Sequence, residues 1–337
     1  MLQLKPTTPP RHPQGFTLIE LLMVIVVLAI LASLLLPAIS GAQKRARVSQ
    51  VRVEISAIES AVASFRAEFG VEPPGSIRLY ATSSGWTTTG ATAAAEAIRV
   101  RSRAYIRQLW PQFDFTSTAG GAFWTTDKDL NGAECLAFFL GGVSDSGTAT
   151  RPNGFSKNPS QPFSQTGTNR VAPFFDFVPS RLVDKDGDGF WEYVDPIPSQ
   201  SSPYLYFDSN DGQGYTTYAV GTAPTGDWCN IDCFQDGYNN ASSFGSQTWA
   251  NGNWMKYCYY TVFQNTGTPT TDISASVQYM PKKFQIISPG FGGIAAATPD
   301  VAYGTGGLFN PKMPTTLTLT PDGDNITNFN PGTLSGE

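Results

Sequence analysis

The chain has 337 residues, which is enough for two average domains or one large domain, so its length excludes neither organisation. Charged residues make up only 15%, while there are 33 Gly and 25 Pro residues, a composition that favours turn-rich β-structure over a helical enzyme. The net charge of −5 argues against a nucleic-acid partner, and the single histidine, His12, lies in a segment that we expect to be removed, which excludes Ser-His-Asp and Cys-His catalysis and His-ligated zinc in the mature chain.

An apolar run of 21 residues, from Phe16 to Leu36, follows a short polar N-terminus and contains one charge, Glu20. A helix of this length spans roughly 30 Å, the thickness of a bilayer core, so we predict a transmembrane segment over residues 16–37. A carboxylate in such a run costs about 2.5–3.5 kcal/mol, which indicates a partner for Glu20. Two alternatives are a secretory signal cleaved before Gly41 and a plain signal anchor.

The sequence GFTLIELL at residues 15–22 resembles the cleavage and methylation motif of type IV pilins and type II secretion pseudopilins. The resemblance implies that a prepilin peptidase removes residues 1–15 by cutting after Gly15, and that Phe16 becomes the N-methylated first residue. It also implies that Glu20 pairs with the amino group of a neighbouring Phe16. Each of these charges would be expensive if buried alone, so the pairing is physically consistent.

The orientation in the membrane also follows from the resemblance. It implies a leader on the cytoplasmic side of the inner membrane, one membrane pass, and a C-terminal domain in the periplasm or on the cell surface. The charges that flank the apolar run do not determine its orientation, because four basic residues follow the run: Lys44, Arg45, Arg47 and Arg52.

Beyond the membrane the helix is predicted to continue to residue 70. Apolar residues recur there at steps of three and four, which makes one continuous stripe: Val48, Val51, Ile55, Ile58, Val62, Phe65 and Phe69. Gly70 and the pair Pro73-Pro74 end the pattern. We interpret the stripe as the face that packs on a globular domain formed by residues 71–337.

The body is predicted to form one irregular domain with two further helices, Ala93–Trp110 and Asn131–Leu140. Its strand candidates are separated by clusters of Gly, Pro, Asn and Asp: Tyr204–Phe207, Tyr215–Val220, Trp254–Phe263, Ser276–Met280 and Phe284–Ser288. A long first helix followed by antiparallel strands predicts an α+β, type IV pilin-like fold.

A candidate calcium loop occupies residues 184–195. Its oxygen ligands would follow the spacing of an EF-hand loop, with Gly189 at the sixth place: Asp184, Asp186, Asp188, the Phe190 carbonyl, Glu192 and Asp195. The alternative is an ordinary acidic surface loop. A shorter phrase at residues 127–132 keeps only the opening pattern, and a turn with a helix N-cap explains it better.

Cysteines permit a structural disulfide between Cys229 and Cys233, with Cys258 as another possible partner and Cys135 as the fourth cysteine. A redox or metal-binding pair is a weaker interpretation, because the spacing of three intervening residues suits neither.

Together these features predict a structural subunit of a type IV pilus-like filament or a type II secretion pseudopilus, and not an enzyme. Its partners would be other pilin or pseudopilin subunits, prepilin peptidase and the inner-membrane assembly platform. The alternative is an exported, membrane-tethered protein that binds carbohydrate or hydrolyses its substrate with carboxylates.

Overall fold

A computed structural model describes thirteen stretches of the chain: residues 16–90, 93–116, 118–144, 152–167, 169–184, 187–197, 203–209, 212, 260–262, 277–278, 282–288, 290 and 326–328. The chain divides into two compact units, one ending at Arg47 and the other beginning at Val48. The first helix contributes residues to both units.

Four α-helices occur among the described residues: α1 at Leu18–Phe69, α2 at Ser83–Thr87, α3 at Ala93–Leu109 and α4 at Gly132–Gly141. The predicted helices in the body are thus confirmed to within one residue at each end. Helix α1 continues through Pro37 and ends at Phe69. Gly70 follows with a φ of +79°, the left-handed conformation that favours glycine after a helix, as the sequence predicted.

The described stretches contain nine short strands that form antiparallel pairs: β1 at Ile77–Leu79, β2 at Lys128–Leu130, β3 at Leu182–Val183, β4 at Glu192–Tyr193, β5 at Leu205–Phe207, β6 at Tyr260–Val262, β7 at Val277–Gln278, β8 at Gln285–Ser288 and β9 at Ile326–Thr327. In the described residues, β5, β8 and β9 make a three-stranded sheet in the order β5-β8-β9, and the others pair as β1-β2, β3-β4 and β6-β7. The α+β architecture with antiparallel sheets is therefore confirmed.

The strand predictions differ from the structure in position and length. Strands β5 and β8 lie within predicted segments, and β6 and β7 occupy parts of two longer ones. The predicted strand Tyr215–Val220 lies outside the described residues. The structure adds β1 to β4 and β9, which have two or three residues each and are too short for an alternating pattern to be recognised in the sequence.

The core of the second unit is built on the apolar stripe of α1. Six of its members are at most 8% exposed, from Val48 to Phe65, and Phe69 packs against the same core at its edge. Helix α4 lies on this core and is buried along its whole length. Its apolar side chains, including Phe138 and Phe139, contact the ring of Phe65 on α1 and aromatic rings from several loops. The interpretation of the stripe as a packing face is confirmed.

The start of α4 is closed by a reciprocal cap. The Asn131 side chain accepts from the backbone N–H of Glu134 at 3.0 Å, and the Glu134 carboxylate accepts from the N–H of Asn131 at 2.7 Å. Asp127 accepts from the N–H of Ala81 at 2.9 Å, and Asp129 pairs with Arg78 across β1 and β2. The helix cap predicted in residues 127–132 is confirmed, but Lys128–Leu130 form strand β2 and not the predicted turn, because they pair with β1.

Candidate functional site

The N-terminus of α1 begins with a capping box between Thr17 and Glu20. One Glu20 carboxylate oxygen, Oε2, accepts from the backbone N–H of Thr17 at 2.9 Å and from its hydroxyl at 2.8 Å, while the Thr17 hydroxyl accepts from the N–H of Glu20 at 3.3 Å. This pattern satisfies helix N–H groups that have no intrahelical acceptor. It also holds the carboxylate beside residue 17, immediately after Phe16.

The side chains that follow form a long apolar surface. Phe16 is 75% exposed, and the large apolar residues from Leu18 to Leu36 are 47–82% exposed. Among the described residues, α1 is the only helix that is long and apolar enough to cross a membrane. Exposure on this scale in water would be costly at about 25 cal/mol per Å², so this surface needs lipid or other apolar helices around it.

Pro37 interrupts the backbone hydrogen bonding of this helix, because it has no N–H to donate. Helical geometry nevertheless continues through it. The Ser33 hydroxyl donates to the carbonyl of Ile30 at 2.7 Å, and the Ser40 hydroxyl donates to the carbonyl of Pro37 at 2.9 Å. These two serines use their hydroxyls on the helix backbone on both sides of Pro37.

Glu54 is the centre of a polar cluster in the second unit that sequence reasoning missed. Its carboxylate accepts two hydrogen bonds from Arg181, at 2.7 and 2.5 Å, and one each from the hydroxyls of Tyr193 at 2.9 Å and Tyr204 at 2.7 Å. The Arg181 and Glu54 side chains are only 19% and 16% exposed. Helix α1 is thereby bound to the segment around β3 and β4 and to the start of β5.

Burial and charge in this cluster keep Tyr193 and Tyr204 protonated and Arg181 charged, the states in which they donate hydrogen bonds to Glu54. Burial, followed by the charge of Glu54, raises the pKa of both Tyr193 and Tyr204, so each phenol stays a donor. Burial alone lowers the pKa of Arg181. Its hydrogen bonds and charge interaction with Glu54 together raise that pKa by a larger amount, so the net shift is upward. The Arg181 guanidinium also lies 4.3 Å from the centroid of the Tyr193 ring.

The end of α1 is anchored by a second carboxylate, Glu72. One oxygen pairs with Arg66 at 2.9 Å, and the other accepts from the Ser209 hydroxyl at 2.8 Å. The Tyr206 hydroxyl donates to the carbonyl of Pro73 at 2.9 Å. The turn after the helix is thus tied to the chain at the end of β5.

The candidate calcium loop is folded around its first carboxylate. Asp184 accepts from three successive backbone N–H groups, those of Gly187, Asp188 and Gly189, at 2.8, 3.1 and 3.0 Å. Both glycines have positive φ, +74° and +95°, which the tight turn requires. Asp188 accepts from the N–H of Phe190 at 2.7 Å. Asp184 and Asp188 therefore lie in one turn.

The other predicted ligands lie on the strand side of this loop. Phe190 packs its ring against Trp124 and Phe138 at centroid distances of 5.5 and 5.2 Å, and Glu192 is fully buried on β4. Asp195 accepts from the Ser288 hydroxyl at 2.5 Å and from the N–H of Ile197 at 3.0 Å. Burial raises the pKa of Asp195 to about 6.

The described part of the loop therefore brings together only some of the predicted calcium ligands. Within it, no group of three or more His, Cys, Asp and Glu side chains lies close enough to hold a metal ion. Asp186, the third predicted ligand, lies outside the described residues, as do Gly15 and the cysteines at 229, 233 and 258. Calcium and the disulfide stay predictions.

The described features are consistent with a pilin-like fold: a long, mostly apolar first helix whose first turn holds Glu20, and an α+β body with antiparallel sheets. Comparison with known proteins agrees. Residues 10–36 match the family model of the prokaryotic N-terminal methylation motif.

One relative is the type II secretion system core protein G of Aeromonas hydrophila, which is 33% identical over 99 residues. The aligned part is 29% of this chain, and it spans 66% of the relative, just under two thirds of its length. No solved structure matches the chain significantly. The resemblance to the type IV pilin and type II secretion pseudopilin family is confirmed by the motif and by this relative.

Proposed function

We propose that the protein is a structural subunit of a type IV pilus-like filament or a type II secretion pseudopilus and has no catalytic role of its own. The observation that carries the proposal is the methylation motif at residues 10–36, placed directly on an exposed apolar helix whose first turn holds Glu20. A membrane anchor that only tethered an enzyme would not require a carboxylate in the first turn of its apolar helix.

Processing and anchoring follow from the same motif. Prepilin peptidase would cut between Gly15 and Phe16 and leave residues 16–37 in the inner membrane as a single pass. The body would lie in the periplasm or on the cell surface. The apolar surface of α1 would then pass from lipid to the helices of other pilin or pseudopilin subunits at the assembly platform, with no change in the polarity of its surroundings.

Glu20 would bind the methylated amino group of a neighbouring subunit's Phe16. In the structure its carboxylate is held by Thr17 at the helix N-terminus, where a negative charge is favoured by the helix dipole. The Oε2 oxygen of Glu20 accepts both hydrogen bonds from Thr17. Because a carboxylate has about four lone-pair sites, Glu20 can accept a hydrogen bond from a further donor while it keeps those from Thr17.

The test is the mass of the mature N-terminus. We expect membrane-extracted protein to begin at Phe16 with one added methyl group. A mature chain that begins at Gly41 would instead identify a secretory signal and contradict the proposal.

We also propose a bound calcium ion and a disulfide in the globular body of this subunit. Calcium would be held by Asp184, Asp186, Asp188, the Phe190 carbonyl, Glu192 and Asp195, and its role would be to stabilise the loop. A Cys229–Cys233 disulfide would suit an oxidising compartment. The alternative function, a membrane-tethered carbohydrate-binding or hydrolytic protein, is supported by neither comparison.

A further inference from the structure

Two arginine side chains of α3 share one aromatic ring. The guanidinium carbons of Arg103 and Arg107 lie 4.5 and 5.5 Å from the centroid of the Phe115 ring. Arg103 also donates to the carbonyl of Trp86 at 2.7 Å. The ring and this hydrogen bond hold planar groups in place, so binding an oxyanion with their other N–H donors costs little further side-chain entropy.

The positive charge of these two side chains is not balanced by an acid beside them. In the described part of the chain, neither Arg103 nor Arg107 forms an ion pair, since Glu96, the acid on the same helix, pairs with Arg99. Burial, together with the charges of Arg107 and Arg99, lowers the pKa of Arg103. A carboxylate brought to this place would relieve the repulsion between like charges.

An exposed valine lies on the same side of α3. Val100 is 51% exposed and precedes Arg103 and Arg107 by three and seven residues, so the three side chains share one face of the helix. Ala104 is exposed between them. We define the basic patch as Val100, Arg103, Ala104 and Arg107. It presents apolar surface next to two cations.

A second exposed valine lies beside a carboxylate. Val178 is 44% exposed, and Asp176, two residues earlier, is also exposed, whereas Phe177 between them is buried. We define the acidic patch as residues 176 and 178–180, all of which are exposed. Among the described residues of the second unit, Val53, Val100 and Val178 are the only large apolar side chains exposed to this degree.

The two patches complement each other in charge and apolar character, and they lie on different elements. Ser102 of α3 accepts from the N–H of Arg78 on β1, whereas the segment 176–180 leads into Arg181, which binds Glu54 of α1. Two different patches of one chain that fit each other make a heterologous contact. Such a contact repeats from copy to copy and builds a filament when it does not close into a ring.

We propose that the basic patch of one copy binds the acidic patch of the next copy, with Arg103 and Arg107 donating to the Asp176 carboxylate and Val100 facing Val178. This inference rests on the proposed function as a filament subunit and names one contact between its copies.

Photo-crosslinking of the full chain in cells locates the contact. Val178→benzoylphenylalanine should form, on irradiation, a dimer of this chain whose link maps by mass spectrometry to residues 97–107 of α3. The control is Lys157→benzoylphenylalanine, at an exposed residue outside both patches, and it should give no link to α3.

Charge reversal tests the ion pairs. Arg103→Glu with Arg107→Glu places acids against Asp176, and Asp176→Arg places a cation against the arginines, so each alone should lower the yield of crosslinked dimer by about tenfold or more. When both variants are expressed together, they can alternate along the filament with opposite charges at every contact. Co-expression should therefore restore the yield to within about threefold of the unmodified chain, which misfolded variants could not do.

A matched control reverses the same charge elsewhere. Lys157→Glu with Lys282→Glu, at exposed sites outside both patches, should leave the yield unchanged. Arg107→Glu alone changes only the more exposed arginine and should still lower the yield, so the test does not depend on the packing of Arg103.

Three outcomes overturn the proposal while leaving the filament subunit intact: a link from residue 178 to another segment or another protein, charge-reversal variants with the yield of the unmodified chain, or a yield that co-expression does not restore. An unmodified chain that forms no oligomer with any crosslinker would contradict the proposed function and this inference together.

Discussion

Two carboxylates show how residue type and position produce different chemistry. Glu20 lies in the first turn of α1, where helix N–H groups and the Thr17 hydroxyl hold its charge at the surface of an apolar segment. Asp195 is 3% exposed, and it faces the Ser288 hydroxyl and one backbone N–H. The first carboxylate is exposed on an apolar segment, whereas the second is buried in the body.

Replacing Glu20 tests its role in assembly. Glu20→Val makes membrane insertion easier but removes the proposed partner of the Phe16 amino group, and a charge-assisted hydrogen bond contributes about 1.5–3 kcal/mol. We expect the variant to stay in the membrane fraction while filament yield falls by at least about tenfold. Sheared filaments and membranes from cells that carry only the variant give both numbers, and an unchanged filament yield would contradict the proposed contact.

Replacing Asp195 tests the effect of its burial. Its pKa is raised from 3.8 to about 6, so the native state binds the proton more strongly than the unfolded chain, and stability falls as pH rises from about 4 to 6. Asp195→Asn is neutral throughout. In chelator, its free energy of unfolding relative to the parent should therefore rise from near zero at pH 4 to about 2–3 kcal/mol at pH 7.

Denaturant unfolding of the full chain in detergent measures this difference. Asp176→Asn, which removes a carboxylate charge at an exposed site, is the matched control. A constant difference between parent and Asp195→Asn across the pH range would show that the proton is not retained by Asp195.

At the scale of elements, helix α1 is bound to the body by two different kinds of contact. The apolar stripe provides most of the buried surface, and stripes of this kind tolerate small rotations of a helix. The Glu54 cluster adds direction, because a bidentate carboxylate–guanidinium pair holds only in one geometry. The cluster therefore fixes the rotation of α1 against β4 and β5.

A double-mutant cycle tests this cluster. Glu54→Gln or Arg181→Gln alone leaves the other charge half-buried without its partner, and we expect each to cost about 2–3 kcal/mol of unfolding free energy. The double variant should cost less than the sum by about 1–2 kcal/mol, because both charges are gone. Glu68→Gln, at an exposed site of the same helix, should stay within about 0.5 kcal/mol. Additive costs would mean that the two side chains act independently.

For the whole molecule, calcium would link the acidic loop to the stability of the body. Asp184 and Asp188 share one turn, and the loop reaches the core through the Phe190 ring, so neutralising its charge would stabilise the folded chain as a whole. The described residues supply only part of the ligand set, which makes Asp186 decisive.

Removal of calcium tests this proposal. A cation that binds only the folded chain adds about 2.7 kcal/mol at 100 times its dissociation constant, so the full chain should melt at a lower temperature in chelator than in calcium. Asp186→Asn with Asp188→Asn keeps the side-chain shapes and should remove most of this difference. A double variant with an unchanged response would place the site elsewhere, and a parent without any response would identify an acidic surface loop.

Features that depend on local free energy could be predicted from the amino-acid sequence alone. The N-terminal motif, the apolar run, the stripe from Val48 to Phe69 and the stop at Gly70 are all readable from neighbours within one or two helical turns. The same holds for α4, because its cap lies within four residues of chain. These elements were predicted almost to the residue.

Contacts between distant segments could not be predicted from the sequence, because they form only when the chain folds. Glu54 meets Arg181 and Tyr204 at separations of 127 and 150 residues, and Asp195 meets Ser288 at a separation of 93. An acidic residue beside a buried apolar stripe indicates that it has a partner, but the sequence does not identify which residue that partner is. Strands of two or three residues, such as β3 and β4, carry too little pattern of their own and exist because of the partner with which each one pairs. The free energy that fixes such features belongs to the pair and not to either segment.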